Sequence, residues 1–350
     1  MGQKKLLSLK STFLYITCAI SFILFARCSK DDSPENEELY LSLPETPYDY
    51  VSLPTSGLPH PANDGNNPNN PITNDGATLG RVLFYDKLLS SNNRISCASC
   101  HKQEFAFADN VAKSQGVNGL TIRNSMHLVN IRHSGTGLFW DGRVPTLEIQ
   151  TLMPIQDHIE MNLTLPEMVT KLQKTTYYQP LFQKAFGDGD ITSDRVSKAL
   201  SQFIRSLNSY NSKYDKREPF TAKEQLGYNK FYDFQGSSDP MNTSCVECHS
   251  DVQMVAFTDY DTPALNFTLN SNGRGFEDEP IVMKVANMKN IELTGPYGHD
   301  GRYATLDILF QHHGNDVSAE DRENLIAFLK TLTDKEFIKD VRYSNPFKRK

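Results

Sequence analysis

The sequence of 350 residues lacks the marks of a nucleic-acid binder, a disulfide-rich scaffold or a polytopic membrane protein. Its net charge is −6, whereas nucleic-acid-binding domains usually carry a basic patch. Its six cysteines are too few for a disulfide-rich scaffold. With 38% hydrophobic residues, it also differs from disordered and collagen-like chains. The length instead favours two domains, with enough material for a packed core.

The first 28 residues have the pattern of a secretory signal peptide. Three lysines precede an apolar run, 13–25, which is too short to cross a bilayer comfortably as a helix. A buried helix of the mature fold is the alternative, but a polar, proline-rich stretch follows at once. Cys28 resembles the lipid-carrying cysteine of bacterial lipoproteins, although Arg27 stands where that motif has a small residue. We therefore expect export to the periplasm or outer membrane, with a lipid anchor at Cys28 as the only membrane contact.

The rest of the chain divides into a leader and two helical parts. Residues 29–75 are rich in Pro, Asn, Asp and Gly, which predicts a surface-hugging or flexible leader. Beyond it, apolar residues recur at helical spacing, and few stretches alternate as a strand would. The patterned stretches are 79–84, 196–207, 225–234, 306–310 and 325–332. We predict a mainly α fold with long ordered loops, divided into domains 76–215 and 216–345.

Two CxxCH motifs are the strongest chemical signal. They comprise Cys97, Cys100 and His101, then Cys245, Cys248 and His249. In this motif two thiols bond to the vinyl groups of one haem, and the adjacent imidazole reaches the iron. A lone CxxC could instead be a redox dithiol or half of a Cys₄ zinc site. Two copies, each followed by histidine and separated by a long segment, favour two covalently bound c-type haems.

Several further motifs accompany the CxxCH motifs. They are LGRVLFYD at 79–86, FWDGR at 139–143, LTGPYGHDGR at 293–302 and AFLKTL at 327–332. With these motifs, roughly residues 78–345 resemble the bacterial di-haem cytochrome c peroxidases and their relative MauG. The resemblance implies two cytochrome c-like haem domains with a calcium ion at their interface, and it leaves a homodimer open. It also implies that the N-terminal haem reacts with hydrogen peroxide. The C-terminal haem would pass on electrons from a cytochrome c or a cupredoxin.

The resemblance assigns roles to individual residues. Trp140 matches the tryptophan that lies between the haems as a stepping point for an electron. Gln150 and Glu160 match the distal pocket of the reactive haem, where the carboxylate moves a proton between the oxygens of bound peroxide. Pro154 matches a proline near the same haem face. Asp157 and His158, which are close to Glu160 in sequence, are interpreted as loop residues.

Oxygen ligands for the calcium ion are assigned by the same match. Asn124, Thr294 and Pro296 correspond to the family's interface ligands, the latter two through their backbone carbonyls. Oxygen donors of this kind suit a hard cation.

The sequence departs from the peroxidase pattern at the N-terminal haem. Many members rest with a distal histidine, which would fall near Val117, but there is no histidine between His101 and His127. We therefore expect an open N-terminal haem that reacts without reductive activation, as in MauG. His127 and His133 are the remaining candidates to close it, although packing roles are favoured for both.

A second departure concerns the distal ligand of the C-terminal haem. The peroxidases have methionine there and MauG has tyrosine, whereas the matching position here is His313, with His312 beside it. Bis-histidine ligation would lower the potential below that of a His/Met haem. Met283 and Met288 match apolar packing positions and are interpreted as core residues.

These features predict an exported cytochrome-c peroxidase-type oxidoreductase that reduces hydrogen peroxide to water. One alternative is a MauG-like oxidase acting on a protein residue, which the open haem favours and the missing axial tyrosine disfavours. Another is an electron-transfer di-haem cytochrome without catalysis, in which both haems would be low-spin and inert to peroxide.

Overall fold

The regular structure of the protein consists mainly of short helices, as the sequence predicts. The structure is a computed structural model that describes residues 39–54, 67–133, 137–232, 245, 249, 286–312 and 317–350. The helices are α1 Asn74–Tyr85, α2 Cys97–Cys100, α3 Leu147–Gln150, α4 Met153–Gln156, α5 Leu165–Gln173, α6 Tyr178–Phe186, α7 Ser193–Arg205, α8 Ala222–Phe231, α9 Leu306–His312 and α10 Ala319–Lys330. Within the described ranges, no helix combines the length and hydropathy required to cross a membrane.

In the described part of the chain, four very short strands form two small sheets. The strands are β1 Leu39–Leu41, β2 Gln115–Gly116, β3 Gly119–Leu120 and β4 Phe347–Arg349. β1 pairs with β4, and β2 pairs with β3 as an antiparallel hairpin. Residues 41–347 form one compact unit, and the described residues 39, 40 and 348–350 belong to a second one.

The larger hydrophobic cluster is built on the crossing of α1 and α7. Helix α1 begins after Thr73, whose hydroxyl accepts a hydrogen bond from Gly76 N over 3.0 Å. The helices approach so closely that a Cβ on Gly80 would lie 2.0 Å from the Ala199 carbonyl oxygen. The apolar stripe predicted over 196–207 is buried, although the helix itself ends at Arg205. The sequence therefore predicts both helices and their buried faces.

A smaller cluster repeats this packing between α8 and α10. A Cβ on Gly227 would lie 1.9 Å from the Asn324 carbonyl oxygen, and Phe328 is fully buried beside it. A buried asparagine in the left-handed conformation adjoins each cluster in sequence, Asn130 with φ 57° and Asn290 with φ 59°. Their amides donate to the carbonyls of Leu207 and Leu332, just beyond α7 and α10. The two predicted domains, each with one CxxCH motif, thus share this local packing geometry.

The predicted leader contributes to the core more than its composition suggests. Tyr50 is buried in the larger cluster, and its hydroxyl donates to the Arg342 carbonyl over 2.8 Å. Arg81 donates to the same hydroxyl over 3.1 Å. Because the hydroxyl is hydrogen-bonded, the ring can be buried without leaving a polar atom unsatisfied. A single aromatic residue without periodicity gives no sequence signal for this anchoring.

Candidate haem cavity and catalytic residues

The first CxxCH motif forms one wall of a cavity of about 670 Å³. Cys97, Cys100 and His101 all line it. The motif folds as the single turn α2, because the Ser96 amide donates to the Ser99 hydroxyl and the His101 amide donates to the Cys97 carbonyl. This turn places both thiols and the imidazole on one side of a space whose volume is typical of a cofactor site.

His101 is oriented for ligation by its own backbone surroundings. Its Nδ1 donates to the Phe107 carbonyl oxygen over 2.9 Å, which leaves Nε2 for a metal ion. Burial lowers the pKa of His101, so the ring is neutral, as a ligand must be. His249 repeats the arrangement, since its Nδ1 donates to the Ala286 carbonyl over 3.1 Å. Both motif histidines are therefore held in the tautomer that iron ligation requires.

The thiols of the first motif are not those of a reactive dithiol. Burial raises the pKa of Cys97 to about 12 and that of Cys100 to about 11. Reactive dithiols require a lowered thiol pKa. Among the residues that the structure describes, there is no group of three or more His, Cys, Asp or Glu side chains that could hold a metal ion. The raised pKa values fit thioether attachment better than a reactive dithiol.

Glu160 lines the same cavity and carries a perturbed carboxylate. The pKa of Glu160 is raised to about 7, mainly by burial and also by the nearby Asp157 carboxylate, whereas the Arg143 guanidinium lowers it. The side chain of Asp157 also stabilises the turn that leads into Glu160, because its Oδ1 accepts from Ile159 N over 2.8 Å and Glu160 N over 3.0 Å. A carboxyl group that titrates near neutral pH can both accept and return a proton.

Trp140 connects the cavity to the HDGR segment at 299–302. The indole lines the cavity, and its Nε1 donates to the Asn124 carbonyl over 2.8 Å. The backbone N–H of Asn124 in turn donates to the His299 carbonyl over 2.8 Å. Gln150 and Pro154 also line the cavity, from α3 and α4. The structure thus brings Trp140, Gln150, Pro154 and Glu160 together with the first CxxCH motif.

Val117, His127 and His133, the positions considered for a distal ligand of the N-terminal haem, are all hydrogen-bonded to other parts of the protein. Val117 lies in the turn of the β2–β3 hairpin, and its amide donates to the Glu160 carbonyl. His127 lines the cavity, but its Nε2 is hydrogen-bonded to the Asn287 carbonyl oxygen over 3.0 Å. His133 is buried, and its Nε2 is hydrogen-bonded to the Tyr210 hydroxyl. These contacts favour packing roles for both histidines, and the open haem stays a prediction.

The three residues assigned to calcium lie in connected segments. Asn124 Nδ2 donates to the Val111 carbonyl over 3.0 Å, so Oδ1 is the atom left for a cation. The backbone N–H of Asn124 donates a hydrogen bond to the carbonyl of His299, which lies in the same segment as Thr294 and Pro296. The donor set fits a hard cation, and calcium binding stays a prediction.

Other predicted residues lie outside the described residues: Cys28, Cys248, Met283 and His313. His312 is exposed at the end of α9, where its ring stacks on Tyr303 with 5.6 Å between centroids. Met288 is buried in the smaller cluster, which confirms its interpretation as a core residue.

Two polar residues of the cavity were not assigned from the sequence. Arg143 lies over the Phe139 ring at 3.8 Å and is paired with Asp141, and it lowers the pKa of Glu160. Asp157, interpreted as a loop residue, supports the Glu160 turn. The sequence signal for this role is an aspartate at the start of a turn, because its side chain accepts hydrogen bonds from the backbone amides two and three residues later.

Comparison with known proteins agrees with this geometry. A profile described as di-haem cytochrome c peroxidase matches residues 74–218. A cytochrome c551 peroxidase from Nitrosomonas europaea is 34% identical, over 75% of this chain and 81% of that protein. The methylamine utilization protein MauG from Methylophilus methylotrophus is 30% identical, over 75% and 84%. The crystal structure of a MauG-like protein associated with microbial copper homeostasis superposes with a TM-score of 0.67 at 28% identity, covering 87% of this chain and 98% of that one.

Proposed function

Because the chain belongs to the di-haem cytochrome c peroxidase family and is a peroxidase-type oxidoreductase, we propose that it reduces hydrogen peroxide to water with electrons from a small redox protein. The observation that carries this proposal is the position of Glu160, with its pKa near 7, in the cavity that the first CxxCH motif lines. Hydrogen peroxide with two protons and two electrons gives two water molecules. Breaking the O–O bond also requires a proton to move from one oxygen of the peroxide to the other, so the protein must place a proton carrier there.

Family membership implies two c-type haems. One would be held by Cys97, Cys100 and His101 Nε2, and the other by the second CxxCH motif, Cys245, Cys248 and His249. A haem in the cavity would supply the iron centre for the reduction of peroxide. The two cytochrome c-like domains, 76–215 and 216–345, would each carry one haem.

Glu160 serves as the proton carrier in this proposal. Its carboxylate would accept a proton from one oxygen of hydrogen peroxide and return it to the other as the O–O bond breaks. Arg143 keeps part of the Glu160 population ionised at neutral pH by lowering its pKa. Gln150 lines the same cavity and offers an amide N–H to orient the peroxide. The carboxyl group thus performs both transfers without a net change in its own protonation.

Trp140 is assigned to the relay of electrons towards the cavity. Its hydrogen bond to Asn124, and that of Asn124 to His299, connect the indole with the second half of the chain. We further propose calcium at Asn124, Thr294 and Pro296, His313 as the distal ligand of the second haem, and a cytochrome c or cupredoxin as donor. The signal-like first 28 residues support a periplasmic or outer-membrane location, with a lipid at Cys28.

A MauG-like oxidase is the second candidate. The absence of a distal histidine near Val117 and the similarity to MauG favour it. Fully oxidised protein is mixed with peroxide, with and without a reduced cytochrome or cupredoxin, while optical and EPR spectra are recorded. Peroxidase activity requires two equivalents of donor oxidised per peroxide. An oxidase would consume peroxide while oxidising a protein side chain. Two low-spin haems inert to peroxide would instead identify an electron-transfer cytochrome.

The catalytic assignment is tested with Glu160→Gln. The variant should bind both haems and lose turnover by about 10²-fold or more, the usual contribution of a positioned acid–base group. Glu104→Gln, which alters an exposed carboxylate on the loop after the first motif, is the matched control and should keep wild-type turnover. Unchanged turnover in Glu160→Gln would remove its assigned role.

A further inference from the structure

We propose that the β2–β3 hairpin is a clamp that fixes the position of Glu160, with Gly116 and Asn118 as positioning residues. The inference rests on the proposed role of Glu160 and adds the part of the chain that holds its carboxylate. The hairpin comprises residues 115–120 and lies far from Glu160 in sequence.

The first observation is a set of hydrogen bonds to consecutive carbonyls. The Val117 amide donates to the Glu160 carbonyl over 2.8 Å, and the Asn118 amide donates to the Ile159 carbonyl over 3.1 Å. The side-chain Nδ2 of Asn118 donates to the His158 carbonyl over 2.7 Å. Each carbonyl from 158 to 160 therefore receives an N–H from the tip of the hairpin, which restricts rotation of those peptide groups.

The second observation is the close approach of backbones at Gly116. A Cβ at this position would lie 2.2 Å from the Ile159 carbonyl oxygen and 2.9 Å from the Glu160 Cα. Since the obstructing atoms belong to the backbone, they cannot move aside as a flexible side chain would. Glycine at 116 therefore allows the hairpin to lie directly against the segment that carries the carboxylate.

The same segment is held from its other side. Asp157 Oδ1 accepts from the amides of Ile159 and Glu160, so these two residues have both backbone groups bonded. Ser114, the residue before the hairpin, is buried and donates from its hydroxyl to Asp109 Oδ2 over 2.5 Å, in the loop after the first CxxCH motif. Hydrogen bonds and the hairpin backbone thus connect this loop to the Glu160 peptide.

Loosening the clamp should change catalysis in a characteristic way. The charged and titratable groups that face Glu160 are Asp157, Arg143 and the thiol positions Cys97 and Cys100. If the segment moves outward, water reaches the carboxylate and the desolvation that raises its pKa decreases. The pH at which kcat is half-maximal should then fall towards the ordinary glutamate range, and kcat should fall because the proton carrier is misplaced.

The test uses the haem-loaded full chain and the variants Gly116→Ala and Asn118→Ala. Leu120→Ala is the matched control, because this exposed side chain lies on the same hairpin. We expect kcat to fall on the order of tenfold in both clamp variants, with KM nearly unchanged, and its pH midpoint to move to lower pH. Hydrogen exchange at the Val117 and Asn118 amides should be slow in the wild type and faster in both variants.

The possible results test the clamp separately from the proposed role of Glu160. The clamp would be overturned if both variants kept the wild-type kcat and pH midpoint. It would also be overturned if Leu120→Ala lost as much kcat as the two clamp variants. Fast exchange at the Val117 amide of the wild type would also overturn it. If Gly116→Ala does not fold, Asn118→Ala still decides, because it deletes one exposed side-chain donor. Full turnover in Glu160→Gln would refute the role assigned to Glu160 but not the hairpin contacts, since the exchange measurement does not depend on activity.

Discussion

His127 Nε2 donates a hydrogen bond to the Asn287 carbonyl oxygen over 3.0 Å, and this contact joins the cavity wall to the segment that holds His249. The preceding carbonyl, that of Ala286, accepts from His249 Nδ1. Two adjacent carbonyls therefore contact one histidine from each half of the chain. Burial lowers the pKa of His127 to about 4, so its ring is neutral and only one nitrogen carries a proton.

Replacing His127 should lower the stability of the folded protein. His127→Leu removes the donor and leaves the buried Asn287 carbonyl without it, which costs about 1–3 kcal/mol. His127→Gln, which keeps an N–H donor, should recover part of the loss. The free energy of unfolding is measured by denaturant titration of the haem-loaded protein. Equal stability of the wild type and His127→Leu would show that the hydrogen bond contributes nothing.

His127 also gives stability a pH dependence of known sign. Its pKa is lower in the folded state than the ordinary value of 6.5, so the unfolded chain binds more protons between these limits. Stability should therefore fall as the pH decreases from about 6.5 to about 4. In His127→Gln this contribution is absent, and the unfolding free energy should vary less over the same window.

The activity should increase with pH around neutrality, because Glu160 must be ionised to accept a proton. Its pKa of about 7 places the midpoint of kcat/KM in that range. Arg143→Gln removes the cation that lowers this pKa, so the midpoint should move to higher pH. Asp157→Asn removes a neighbouring negative charge, so it should move to lower pH. Shifts on the order of half a pH unit are expected, because solvent screens both charges. Shifts in the opposite directions would contradict the electrostatic assignment.

The sequence was sufficient for the helical architecture and for the residues whose chemistry is local. Helical periodicity identified the buried faces of α1 and α7, and the CxxCH spacing identified His101. The placement of Glu160 in the cavity came from resemblance, since an isolated glutamate has no pattern of its own.

The remaining parts of the site could not be predicted from sequence patterns. The hydrogen bonds of Val117 and Asn118 to the Glu160 segment join backbone groups that are distant in sequence, and every residue type carries such groups. The buried position of Tyr50 likewise depends on a partner, Arg342, near the opposite end of the chain.

Covalent attachment at each motif can be counted separately by the mass of the denatured chain. The wild type should carry two haems, and the double variant Cys97→Ser/Cys100→Ser should carry one. Cys245→Ser/Cys248→Ser should also carry one, so that only the spectra distinguish the two variants. Two haems in either double variant would contradict the assignment of that motif.

The buried ion pair of Lys289 and Asp215 should contribute strongly to stability. Lys289 is fully buried and donates to Asp215 Oδ1, while Ser212 donates to the other carboxylate oxygen from its amide over 3.0 Å and from its hydroxyl over 2.6 Å. Lys289→Met would leave a buried carboxylate without its cation, which costs about 3–5 kcal/mol. Lys223→Met breaks an exposed pair with Glu323, which solvent screens, so it should cost much less. Denaturant unfolding of the haem-loaded variants compares the two losses. Equal losses would show that burial does not set the contribution of the Lys289 pair.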